Sequence, residues 1–142
     1  MKKIKFSKFN GQGNDFIIID ATVKKVVLSR KQIMEMCDRN FGIGGDGLIL
    51  IKKSKNSDLK MVYYNRDGSA AEMCGNGIRC MAAFIYKMNL IRRKSLNIET
   101  AAGEKSVSID VENNKIKSIS VDMGKPGFRP EIIPVNIKGR SD

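Results

Sequence analysis

The chain has 142 residues, 42% of them hydrophobic and 29% charged, which suits one globular, soluble domain large enough to bury a core without staples. No apolar run approaches the roughly 20 residues of a membrane span, and the start Met1-Lys2-Lys3-Ile4-Lys5 lacks the apolar stretch of a signal peptide, so a cytoplasmic protein with no membrane partner is expected. The net charge of +11 raises nucleic-acid binding, but the clusters Lys24-Lys25, Arg30-Lys31, Lys52-Lys53 and Arg92-Arg93-Lys94 sit at expected element ends without interleaved aromatics, which favours a solvated basic surface and no nucleic acid.

Ile4, Phe6 and Phe9 suggest a first strand, followed by a tight loop, Gly11-Gln12-Gly13-Asn14-Asp15, and a continuous β-branched strand, Phe16–Asp20. Ser29 opens a helix, with Gln32 three residues on as a capping box. Ile33, Met36 and Cys37 share one face of it, and Asn40 and Gly42 end it. Cys37 therefore reads as a small core residue.

Gly42-Ile43-Gly44-Gly45-Asp46-Gly47 matches the dinucleotide fingerprint G-x-G-x-x-G, which needs a strand before it and a helix after it. Here a helix precedes and a strand, Leu48–Ile51, follows, so no dinucleotide site is expected. Leu59–Tyr64 is the next strand, and Asn65-Arg66-Asp67-Gly68-Ser69 is a turn by composition.

Glu72-Met73-Cys74-Gly75-Asn76-Gly77 then leads into Ile78–Met88, apolar almost all round and hence a helix buried on most sides. Three strands follow: Ser95–Thr100, Glu104–Glu112 and Ile116–Met123, the last two alternating and joined as a hairpin at Asn113-Asn114. Gly124-Lys125-Pro126-Gly127 closes the domain. The expected fold is α+β: six or seven strands in a mixed, barrel-like roll around one central buried helix. Residues 1–128 form the domain, and 129–142 form a crossover tail leading to something absent.

There are three cysteines, no C-x-x-C pair and no histidine, which removes the usual zinc patterns and points to free thiols with no metal. Without an imidazole, proton transfer near neutral pH falls to a Cys, Asp, Glu or Lys. Cys74-Gly75-Asn76-Gly77 is where such chemistry fits. The first turn of a helix exposes backbone N–H groups without internal partners, and with the macrodipole they form a carboxylate site. Gly75 and Gly77 let a ligand approach the backbone, and a thiolate at residue 74 is favoured by the same field. An amino acid docked by its carboxylate would place its α-carbon beside the sulfur, where the dipole also stabilises charge left by a departing α-proton. The spacing alone is equally compatible with a glycine-rich helix start carrying an incidental cysteine, and the Asn14 and Asn65 segments with plain turns. Cys80 lies six residues on, about 600° around a helix, so it does not share a face with Cys74 and belongs to the core.

Taken together, five segments resemble diaminopimelate epimerases: Phe9–Phe16, Asp38–Gly47, Tyr64–Ser69, Met73–Cys80 and Thr100–Gly103. The resemblance runs from Lys3 to about Phe128 and implies one of two pseudo-symmetric halves. It implies an isomerase that interconverts LL- and meso-diaminopimelate, a step towards lysine and cell-wall precursors, with two cysteines facing each other across the α-carbon and no pyridoxal phosphate. By resemblance Cys74 is one of these thiols. Gly75 and Asn76 give backbone N–H groups to the α-carboxylate, and Asn14 and Asn65 bind substrate polar groups. In some members a Gln near the end of the glycine loop contacts substrate; this chain has Gly47 there. The second cysteine is missing, so the partner is a second half or a second copy that opposes Cys74 to Cys74, and the isolated chain is expected to be inactive. Three alternatives remain. Racemases of proline or hydroxyproline with this fold carry a His where this chain has Asn76. Phenazine-pathway isomerases lack the catalytic cysteines. A non-catalytic basic binding module predicts strongly salt-dependent nucleic-acid binding.

Overall fold

The computed structural model describes residues 3–128; the tail 129–142 lies outside the described residues. In chain order the elements are β1 (Ser7–Gly11), β2 (Asn14–Asp20), α1 (Arg30–Cys37), β3 (Gly47–Lys52), β4 (Leu59–Asn65), β5 (Ala70–Ala71), α2 (Gly75–Lys87), β6 (Ser95–Thr100), β7 (Gly103–Glu112) and β8 (Lys115–Val121). They form one mixed sheet in the order β1-β2-β3-β4-β6-β7-β8, with β5 paired to β4. The β2–β3 and β4–β6 pairs are parallel and the rest antiparallel.

The sheet curls around α2, which touches β1, β2, β3, β4, β7 and β8. Its buried residues, Ile78, Cys80, Met81, Ala82, Phe84 and Ile85, meet Phe16, Ile18, Ile49, Ile51 and Met61 from one end of the sheet and Leu96, Ile98, Val107 and Ile109 from the other. The α+β roll around a central helix is thus the observed architecture. A second, smaller core lies on the outer face, where Ile33 and Cys37 of α1 cover Ile17, Ile19, Leu48 and Leu50. The two cores explain why Phe16–Ile19 and Leu48–Ile51 do not alternate in polarity: successive side chains point to opposite faces, and both faces are covered. No helix among the described residues is long and apolar enough to cross a membrane.

Ile4 and Phe6 lie outside the first strand, which starts at Ser7, and both are exposed. The loop expected over Gly11–Asp15 is shorter than its composition suggested. Only Gln12 and Gly13 form the turn, both left-handed (φ 53° and 88°), as a two-residue hairpin requires, so Gly11 pairs with Asn14. The capping box of α1 is present: Gln32 N–H donates to Ser29 Oγ at 3.3 Å and Ser29 N–H to Gln32 Oε1 at 2.8 Å. The helix stops at Cys37, short of Asn40, because Asp38 Oδ1 accepts the N–H groups of Asn40 and Phe41 (2.7 and 2.8 Å) and offers the backbone an alternative to another helical turn. The hairpin at Asn113-Asn114 forms as expected, both residues taking positive φ. The two-residue β5 had no polarity pattern to announce it.

Candidate active site

Four segments converge at one end of the roll: the β1–β2 turn, the glycine loop before β3, the end of β4 and the start of α2. Strand register sets this up, since Phe16 pairs with Gly47 and Gly47 with Asn65.

Cys74 is the N-cap of α2, with extended backbone (φ −139°, ψ 117°). Its Sγ accepts the N–H of Gly77 at 3.3 Å, and its carbonyl accepts that of Ile78 at 2.8 Å. Sulfur thus stands in the place usually taken by a Ser or Asp oxygen. The N–H groups of Gly75 and Asn76 have no partner within the helix. Cys74 is half-buried. Around it lie Met73 and Tyr63, both packed against the main core. Burial pushes the Tyr63 phenol up, and negative charge on the neighbouring Cys74 adds to the effect, so Tyr63 stays a neutral group beside the thiol.

The other two cysteines are held differently. Cys37 is 4% exposed and Cys80 3% exposed. Burial raises the Cys37 thiol and pushes Cys80 up to about 11. Cys80 is core, as its spacing suggested, and its sulfur faces β1: a side chain at Gly11 would meet it at 2.9 Å.

Asn14 and Asn76 are brought into direct contact, Asn76 Nδ2 donating to Asn14 Oδ1 at 2.5 Å. Asn14 Nδ2 donates to Asp46 Oδ2 at 3.3 Å, and Arg79 donates to Asn76 Oδ1. Asp46 also accepts the N–H of Asp15 at 3.1 Å. Arg39 spans Asp15 and Asp46, donating at 2.6 and 3.1 Å to the first and 3.0 Å to the second. Lys8 adds a second cation on Asp15 at 2.7 Å. The Arg39 hydrogen bonds and Lys8 hold the Asp15 carboxyl far below the usual carboxylate range, against its partial burial. The same bonds hold Arg39 still more firmly protonated.

Asn65 stands apart from this pair. Its Nδ2 donates to Ser69 Oγ at 3.0 Å inside its own turn, and Ser69 donates in turn to Asp67 at 2.6 Å. Gly47, where some relatives were expected to carry a Gln, has no room for one here: a Cβ would sit 2.6 Å from both the Tyr63 ring and the Tyr64 carbonyl.

Sequence reasoning singled out Cys74, Gly75, Asn76 and Asn14 but passed over Asp46, Arg79 and Tyr63. Arg79 was within reach, since it lies three residues beyond Asn76 on one helix face. Asp46 was hidden in a glycine loop weighed as a nucleotide motif and as a segment of the resemblance, with no role given to its carboxylate. Two clefts, of about 870 and 730 Å³, lie elsewhere, one along Lys3–Lys5 and Lys24–Leu28, the other beside α1 between Arg39 and Arg66; Cys74 lines neither.

Residues 6–128 match the family described as diaminopimelate epimerase. A diaminopimelate epimerase of Leptospira biflexa is 44% identical over 138 residues, covering 96% of this chain and 49% of that protein. One from Clostridium perfringens is 43% identical over 132 residues, covering 92% and 48%. The chain therefore spans about half the length of these curated relatives. Among solved structures, a hydroxyproline epimerase from Agrobacterium vitis shares the fold at a TM-score of 0.66 and 12% identity, over 83% of this chain and 40% of that one.

Proposed function

The chain belongs to the diaminopimelate epimerase family, and from that premise we propose that it supplies one of two thiols for a cofactor-independent inversion of LL- to meso-diaminopimelate. In this reading residues 1–128 are the unit that carries the thiol, working in the cytoplasm on a step towards lysine. The Cys74 thiolate takes the α-proton, and the electrons of the broken C–H bond stay on the α-carbon. A second thiol on the opposite face then delivers a proton to that carbon, which inverts it and leaves the second sulfur as thiolate.

One observation carries the reading: a half-buried sulfur caps α2, 3.3 Å from the Gly77 nitrogen, in the same turn as the amides of Gly75 and Asn76, which have no partner within the helix. A carboxylate on those amides places its α-carbon at the sulfur, and the helix end favours the charge that develops there. Asn14 and Asn65 complete the polar contacts to substrate.

The opposing thiol has no candidate among the described residues. Cys37 lies under α1 in the outer core and Cys80 inside the main one. The partner is therefore a second half, as the length of the relatives suggests, or a second copy related by a two-fold axis. Alone, the chain binds substrate weakly and does not epimerise it.

The test is exchange of the α-proton of LL-diaminopimelate into heavy water, followed by NMR. The chain alone should show little. Mixed with the second half of a full-length relative it should show exchange that disappears with Cys74→Ser. Exchange that survives this substitution would sink the assignment. Sedimentation settles the partner: a monomer at high concentration removes the two-copy version.

A further inference from the structure

The contacts between Asp46, Asn14, Asn76 and Arg79 form a line with a chemically fixed direction. A guanidinium can only donate and a carboxylate only accept. Arg79 donates to Asn76 Oδ1, Asn76 Nδ2 to Asn14 Oδ1, and Asn14 Nδ2 to Asp46 Oδ2. With a donor-only group at one end and an acceptor-only group at the other, neither amide can turn over without opposing like groups. The two asparagines alone, free to flip together, would have no such preference. The ends are themselves tied down: Asp46 is ion-paired to Arg39 at 3.0 Å, and Arg79 lies on the helix face of Asn76.

Fixing the direction has a consequence for recognition. Each amide oxygen has accepted one bond and each NH2 has given one of its two hydrogens. What each asparagine has left is one N–H and one oxygen lone pair, and of the two only the N–H can meet an anion. The pair thus presents two spare donors next to the first turn of α2, where the backbone N–H groups of Gly75 and Asn76 already favour an anion.

We propose that Asp46 and Arg79 are positioning residues that hold the Asn14–Asn76 pair with its donors presented to the carboxylate of a bound amino acid. The proposal rests on the epimerase reading for the identity of the ligand, but its test does not need turnover.

Two measurements on the full chain decide it. In the first, the side-chain NH2 signals of Asn14 and Asn76 are followed by ¹⁵N NMR. Each should show one slowly exchanging hydrogen and one fast, and Asp46→Ala, which removes the acceptor altogether, should shift the Asn76 pair as well as that of Asn14, because the line is broken at its acceptor end. An unmoved Asn76 signal overturns the proposal. In the second, Cys74 is alkylated with iodoacetate and with iodoacetamide in separate runs, and the ratio of rates cancels any change in thiolate fraction. Removing a negative charge would by itself speed the anionic reagent and raise the ratio. Loss of the oriented donors lowers it, by about threefold, the scale of one hydrogen bond. A raised ratio overturns the proposal. If Asp46→Ala folds poorly, the opposite end serves: Arg79→Met should shift the Asn14 amide signals and Arg79→Lys, which keeps a cationic donor, should not, and equal behaviour of the two overturns the proposal. A chain that passes these tests yet exchanges no α-proton when its second half is supplied would refute the epimerase reading and leave the line of asparagines standing.

Discussion

The two ends of α2 are built on opposite principles. Apart from Arg79, the helix from Ile78 to Ile85 is apolar and packed on nearly all sides, with Ile78, Met81 and Ile85 fully buried. Its first turn, Cys74–Gly77, carries one sulfur, two glycines and an asparagine, and is tied by Asn76 to Asn14 beside the β1–β2 turn, and Asn14 bonds to Asp46 of the glycine loop. The contrast shows in the thiols. Cys74 is half-buried and bonded to a backbone N–H, while Cys80, one and two-thirds turns on, is wrapped in the core and held as a neutral thiol. The body of the helix anchors the roll, and rigid anchoring lets the first turn present its amides at a fixed place. In the proposed reading, reactivity is kept at the one end of the helix where backbone donors are left over.

Separate substitutions at the two ends sharpen the contrast most. Cys74→Ser should lower proton exchange in the reconstituted enzyme by about 10²–10⁴-fold, the usual worth of a general base. It should cost little stability, because a serine caps a helix well. Met81→Ala should do the reverse, lowering stability by about 2–5 kcal/mol through the cavity it opens, as read from urea denaturation. If Cys74→Ser unfolded the chain, the first turn would be part of the core and the division wrong. A smaller effect separates the thiols. Roughly a thousandth of Cys80 is thiolate at pH 8, given its value of about 11, and it is buried besides. Iodoacetamide should therefore label Cys74 at least about 10-fold faster than Cys80 or Cys37, by peptide mass mapping. Equal labelling would mean that the core opens as readily as the site.

Sequence and structure agree best where burial marks polarity. The central helix and the strands at Phe16 and Leu48 were legible as continuous apolar runs, because both faces of each are covered, and the hairpin at Asn113 was legible from strands that alternate with period two. The sulfur at a helix start was legible too, from glycines and the onset of an apolar run. What could not be read was pairing between distant polar residues. Asn14 and Asn76 are 62 positions apart, and nothing in either segment names the other. Asp46 lies within a loop whose glycines drew attention to phosphate binding, whereas its carboxylate serves the turn at Asn14 and Asp15. Ile4 and Phe6 misled in the other direction: apolar spacing suggested a strand, but no strand among the described residues pairs with them, and they are exposed.

The smallest effect tests whether the charged surroundings of the first turn are as separable from the body as the packing implies. Asp15 is only 18% exposed at its side chain and is paired to both Arg39 and Lys8. Its carboxyl is held well below its ordinary 3.8, so it is a group whose ionised form the folded state prefers. Its stabilisation is complete above the unfolded value, near pH 4, and is lost as pH falls towards the depressed folded value, because the unfolded chain takes up the proton first. Both cations are partly exposed, so solvent screens the pairs and the expected contribution is only about 1 kcal/mol. Asp15→Asn should therefore be less stable than the parent by about that amount at pH 7, and the gap should shrink at pH 3 and close further in stronger acid, measured by urea midpoints at each pH. Met81→Ala, which removes no titrating group, should keep its full deficit across the same range. Equal pH dependence of the two would mean that acid loosens the whole roll at once, and that the polar end and the apolar body of the helix unfold as one unit with no boundary between them.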